Sequence, residues 1–149
     1  MTATLNPTDE VVTFRVGTQW FGVPVLCVQE VIKRQRIARV PLAQPHIAGL
    51  LNLRGQILTA IDMHTRLEIS PAASESLMHV VVRDEGELFA LIVDEVGDVG
   101  AFSSQTLERL PASLDASWAR VCTGVVRMDH GLLAILDTTR LLDEASTRP

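Results

Sequence analysis

"GLLNLRGQILTAID" (49–62) and "GVVRMDHGLLAILD" (124–137) align without a gap at an offset of 75 residues. Glycine falls on glycine, aspartate on aspartate, and the apolar positions between them coincide. In each copy two apolar runs flank a turn, Arg54-Gly55 in the first and "DHG" in the second. Apolar β-forming runs broken by such turns predict hairpins, with Gly55 supplying a positive φ. The closing aspartates, Asp62 and Asp137, suit helix N-caps, so "DMHTRLE" and "DTTRLLDEA" predict short helices.

A second pair repeats at an offset of 68 residues: "VVTFRVGTQWFGVPVLCVQEV" (11–31) on "HVVVRDEGELFALIVDEVGDV" (79–99). Arg15 falls on Arg83 and Phe21 on Phe89. Both members begin as hairpins, "VVTFRVG" with "WFGVPV" and "LMHVVVRD" with "LFALIVD". Two halves with the same order of strands predict a duplicated small β-barrel. The halves run over 11–67 and 77–142, joined by the small, polar, Pro-containing linker 68–76. Strands could exchange between them. A half of this length is marginal alone, so the two should pack across an apolar seam. Val28 and Val31 fall on Val96 and Val99, a V-x-x-V in each half. Equivalent positions can line one groove at that seam; plain core valines fit the pattern equally well. The spacing in "VLCVQEVIK" (25–33) predicts a turn or two of helix. Residues 1–10 and 143–149 read as loose tails.

The 149 residues suit one domain and carry 47% hydrophobic and 21% charged residues, a globular balance. A net charge of −5 argues against a nucleic-acid or anionic-membrane partner. Cys27 and Cys122, each inside an apolar strand-like run, give neither a disulfide framework nor metal spacing. No signal peptide and no membrane-length apolar run is present, which predicts a soluble, cytoplasmic protein.

Catalytic equipment is not visible. His46, His64, His79 and His130 form no ligand pattern, and hydrogen-bonded or solvated histidines explain them. Ser103, Ser104 and the serines of 70–76 have no adjacent base. Asp62 and Asp137 are better explained as caps than as a carboxylate pair. Phe14, Phe21 and Phe89 sit in β-runs as core, which leaves no stacking platform for single-stranded nucleic acid. Binding is therefore the default function, with neither metal nor cofactor.

"VPLAQPHIAGLLNLRGQILTAIDM" (40–63) resembles the central signature of CheW-like chemotaxis coupling proteins. Pro41, Pro45, Gly49, Asn52, Leu53, Arg54, Gly55 and Asp62 fill that signature; Thr59 departs from it where the family commonly has proline. "FGVPVLCVQEV", "LIVDEVGDV" and "TGVVRMDHGLLAILDTTRLL" extend the resemblance along nearly the whole chain as a single domain over 1–149. The resemblance implies a mainly β fold of two SH3-like five-stranded barrels packed together, with short helices. It implies a non-enzymatic scaffold joining the regulatory domain of a chemotaxis histidine kinase to the cytoplasmic hairpin tip of a methyl-accepting receptor. Kinase and coupling proteins would alternate in rings within membrane-bound arrays, without insertion into the membrane. By the same resemblance Val28, Glu30, Val31, Gly49, Arg54, Val96, Val99 and Gly124 are receptor-groove positions, with Glu30 paired to Arg54; kinase contacts are not indicated. The competing expectation is a barrel that binds a small ligand, or acts as a decoy, and modulates the kinase without coupling a receptor.

Overall fold

Each apolar run bounded by a turn forms a strand. The computed structural model describes residues 10–70, 78–101, 107–112, 117–129 and 131–143. Linker residues 71–76, Ser103, Ser104, His130 and most of both tails lie outside the described residues. Strands β1 (Glu10–Val16) and β2 (Gln19–Pro24) form the first hairpin, followed by β3 (Val28–Lys33). Then come β4 (Ile47–Leu53), β5 (Gln56–Asp62) and the short helix α1 (Met63–Leu67). The second half repeats this order as β6 (Met78–Asp84), β7 (Glu87–Val93) and β8 (Glu95–Ala101). It continues with the two-residue β9 (Leu107–Glu108), then β10 (Cys122–Met128), β11 (Gly131–Leu136) and α2 (Thr138–Leu141).

Local chemistry sets the turns and caps. Arg54 (φ 51°) and Gly55 (φ 89°) close β4–β5, and Glu85 (φ 51°) and Gly86 (φ 82°) close β6–β7. Two central residues at positive φ match the right-handed twist of the strands they join. Asn52 Oδ1 accepts from the Gly55 N–H at 2.9 Å and fixes the first of these turns. Asp62 caps α1 by accepting from the His64 N–H, and Asp137 caps α2 by accepting from the Arg140 N–H.

The strands form two sheets of matching order, β8-β1-β2-β11-β10-β9 and β3-β6-β7-β5-β4. Apart from the added edge strand β9, every position in one sheet has its repeat counterpart in the other. Each sheet takes strands from both sides of the 68–76 segment. The β1–β2 hairpin sits among β8, β10 and β11, while β6–β7 sits among β3, β4 and β5. The exchanged hairpins join their hosts through parallel pairings, β2 with β11 and β7 with β5.

Three apolar clusters follow. Leu51, Leu58, Val81, Leu88 and Ala90 fill one barrel. Val11, Val126, Leu133 and Ile135 fill the other. The central cluster, including Phe14, Phe21, Val80, Phe89 and Leu136, draws on both sheets and both helices. β7 therefore has apolar neighbours on both faces, which is why "LFALIV" reads as a continuous apolar run rather than an alternation. Phe14 stacks on Phe21, and Trp118 meets Phe21 edge-on.

A buried carboxylate ties the exchanged parts together. Asp94, between β7 and β8, is 2% exposed. Its Oδ2 accepts from Gly17 N in the β1–β2 turn at 2.6 Å and meets His64 Nε2 of α1 at 2.8 Å.

The helical expectation for 25–33 is corrected: only Val25–Cys27 forms a single 3-10 turn, and the rest is β3. Cys27 accordingly lies half-buried in that turn, not in a strand, while Cys122 opens β10 and is buried.

Candidate functional site

The V-x-x-V spacing that imitates a helix is produced by β-bulges. Val28 lies opposite Val82 and Glu30 opposite Val81, so Gln29 is one residue too many for the ladder. Val31 then faces Val80. A strand alternates faces with period two, and one extra residue brings positions three apart onto the same face. The other half repeats the device: Val96 lies opposite Phe14 and Val99 opposite Val12, with Gly97 and Asp98 facing Thr13 alone. Thr13 Oγ1 donates to the Asp98 carbonyl at 2.7 Å and holds this bulge.

Both valine pairs thus share a face with central-cluster residues, Val80 and Val82 in one sheet and Val12 and Phe14 in the other. Val28 and Val96 pack against that cluster. Val31 and Val99 remain 39% and 52% exposed. β3 and β8 are the matching edge strands of their sheets, so each edge presents one anchored and one exposed valine.

Glu30 stands on the opposite face of β3, and the Arg54 guanidinium donates to its carboxylate through Nη2. β3 and β4 are the two ends of the five-stranded sheet, and Arg54 is at the β4–β5 tip. The ion pair therefore links the two ends of the five-stranded sheet. The Arg54 side chain is 66% exposed and that of Glu30 26%.

Gly49 and Gly124 lie away from the valine edges, on β4 and β10, each beside a bulge. The chain's own backbone passes over both. A Cβ on Gly49 (φ 148°) would stand 2.2 Å from the Ala38 carbonyl oxygen. A Cβ on Gly124 would stand 2.5 Å from the Glu108 carbonyl oxygen. Ala38 exchanges hydrogen bonds with Leu50, and β9 pairs with Val125 and Val126, so both glycines admit an extra edge segment.

Sequence reasoning missed two exposed apolar side chains and one apolar cleft. Leu26 is exposed just before Val28, and Ile57 is 61% exposed across from Asn52 in the Arg54 hairpin. Trp20, Met128, Leu132 and Leu133 line a small apolar cleft on the six-stranded side. Ile57 reads as core in a strand pattern, yet it is exposed near the hairpin tip while the adjacent Leu58 is buried. Among the described residues no cluster of His, Cys, Asp and Glu could hold a metal ion, and no helix is long and apolar enough to cross a membrane. Burial pushes the Cys122 thiol up to about 12 and also raises that of Cys27, which disfavours thiolate chemistry at neutral pH.

The CheW-like domain model matches residues 10–146. The chain is 28% identical over 137 residues to the chemotaxis protein CheW of Treponema pallidum, covering 89% of this chain and 81% of that one. It is 27% identical over 150 residues to the chemotaxis protein CheW of Bacillus subtilis, covering 99% and 96%. The solved structure of the scaffolding protein TtCheW from Thermoanaerobacter tengcongensis superposes with a TM-score of 0.82 at 25% identity, covering 93% of this chain and 90% of that one. The paired sheets are thus the two SH3-like subdomains of that fold. Repeat, topology and family match agree, and the chain belongs to the CheW-like domain family.

Proposed function

We propose that this protein is a non-enzymatic chemotaxis scaffold that couples a histidine kinase to the cytoplasmic hairpin of a methyl-accepting receptor. The observation that carries the reading is the pair of bulged edge strands, each holding one valine against the central core and one open to solvent. A helical hairpin presents apolar side chains every third or fourth position, and two such edges offer it matching contacts. The ion pair between Glu30 and Arg54 sets the angle of the β4–β5 hairpin beside one of these edges. The protein works in the cytoplasm and is recruited to receptor arrays, where it alternates with kinase regulatory domains in rings. Each pairwise contact is modest, and the array tightens them through effective concentration.

The test is co-sedimentation of the purified chain with the cognate kinase regulatory domain and with a receptor hairpin fragment, followed by receptor-dependent kinase activity. Binding to both and a rise in coupled activity are expected. Binding to neither overturns the scaffold reading. Binding to the kinase with no change in coupled activity replaces it with a decoy.

A further inference from the structure

Segment 33–39, "KRQRIAR", carries Lys33, Arg34, Arg36 and Arg39 in a chain of net charge −5. All four are exposed. Among the described residues none of them forms an ion pair, whereas Arg15, Arg54, Arg120, Arg127 and Arg140 do. Behind the segment lies a cleft of about 550 Å³ lined by Arg34, Gln35, Arg36, Ile37, His79 and Ile92. His79, on β6, is 1% exposed. Its Nε2 accepts from the Gln35 backbone N–H at 3.1 Å, so the proton of the neutral ring is on Nδ1. Burial lowers the His79 pKa, partly offset by the nearby Met78 and Gln35 backbone, which keeps the ring neutral at pH 7. Nδ1 is sealed from solvent beside the Met78 backbone, so His79 forms a fixed, uncharged part of the cleft floor.

We infer that this cleft binds a phosphate-bearing small molecule of nucleotide size. Two guanidinium groups without carboxylate partners present the planar donors that match phosphate oxygens. Ile37 and Ile92 supply an apolar wall for the organic part. The volume lies within the usual range for small-molecule sites. The segment continues directly from β3, and His79 is the ladder partner of Ile32. A ligand held between the arginines and β6 braces the end of the strand that carries Glu30 and Val31.

Calorimetric titration of the full chain with AMP, adenosine and pyrophosphate tests this, beside an Arg34→Gln/Arg36→Gln variant. AMP and pyrophosphate bind, adenosine does not, and the double variant loses about tenfold or more in affinity, about 1.4 kcal/mol, with an unchanged melt. Absence of saturable binding of either phosphate compound up to about 10 mM overturns the inference. Equal binding by the double variant does the same. So does equally tight binding of a glutamate-rich peptide or of anionic vesicles, which makes the segment a general basic surface. Receptor coupling plays no part in these readouts, so their failure leaves the scaffold function untouched.

Discussion

Reversing the charges of the Glu30–Arg54 pair separates the shape of the barrel mouth from the stability of the fold. The pair is exposed on the arginine side and about three-quarters shielded on the glutamate side. Such a pair contributes about 0–1 kcal/mol. At about 2–4 °C per kcal/mol for a chain of this size, Arg54→Glu and Glu30→Arg each lower Tm by no more than about 4 °C. Their effect on receptor binding is larger relative to that cost, because the ion pair connects β3 to the β4–β5 tip, the two ends of the sheet. Releasing it lets the hairpin swing relative to Val31 and loses about 1–2 kcal/mol of binding, or roughly 5–30-fold. The double reversal restores the attraction with opposite polarity and recovers at least half of that loss on a free-energy scale. Arg54→Gly is the control. Arg54 has φ 51°, a conformation glycine adopts freely, so the turn persists while the charge is gone. Titrating a labelled receptor hairpin against the four variants, with kinase-domain binding as the check on folding, completes the cycle. A double reversal no better than the worse single variant refutes the pairing argument, and Arg54 then touches the partner directly.

Val99→Asp puts a carboxylate on a half-exposed edge position, so the circular-dichroism melt moves by less than about 1 kcal/mol while receptor affinity falls at least about tenfold. An unfolded Val99→Asp would make this valine plain core. Gly49→Ala forces a Cβ into the Ala38 carbonyl at a φ of 148° and destabilises the protein by about 2 kcal/mol or more, measured by urea unfolding. Cys122, raised to about 12 from 9.0, keeps its proton in the folded state where the unfolded chain loses it. The stability it contributes is complete below pH 9 and declines as pH rises from 9 toward 12, and at pH 8 a thiol reagent labels Cys122 only at the rate of unfolding.

The hairpins were legible because each combines β-forming runs with a local turn signal, and both helix caps were legible because an aspartate ends a strand at the same repeat position. The edge strands were not. β3 and β8 carry bulges, and a bulge shifts an alternating pattern into the three-residue spacing of a helix. The sequence could equally not reveal which hairpin enters which sheet. β1–β2 and β6–β7 are repeat-equivalent and either fits either host by pattern alone. The deciding contacts are long-range ones, such as the Gly17 N–H on Asp94. The Glu30–Arg54 pair was reachable only through the family signature, since 24 residues of chain separate its members. Roles for Gly49 and Gly124 follow from their own backbone neighbours, Ala38 and Glu108, and no short-range pattern carries that information.

The exchange of hairpins couples the two valine-bearing edges through a shared core. β3 is hydrogen-bonded to β6 and β8 to β1, so each valine-bearing edge is held by a hairpin from the opposite half of the chain. Neither edge can tilt freely, because both hairpins also supply the central cluster through Phe14, Phe21, Val80 and Phe89. Displacing one edge therefore loads the core shared with the other. Residues 10–70 and 78–143 made as separate chains test this arrangement. Each alone lacks the exchanged hairpin of the barrel to which it contributes the remaining strands, and leaves apolar positions of the central cluster uncovered. Mixed at equal concentration, the two chains assemble one to one and regain the melt of a folded protein, reduced by the entropy of bringing two chains together. By pattern, a half could close its own hairpin into its own remaining strands. Two separately folded halves with no mutual affinity would show that this self-closure is as stable as the exchange, and the edges would then be free to move independently.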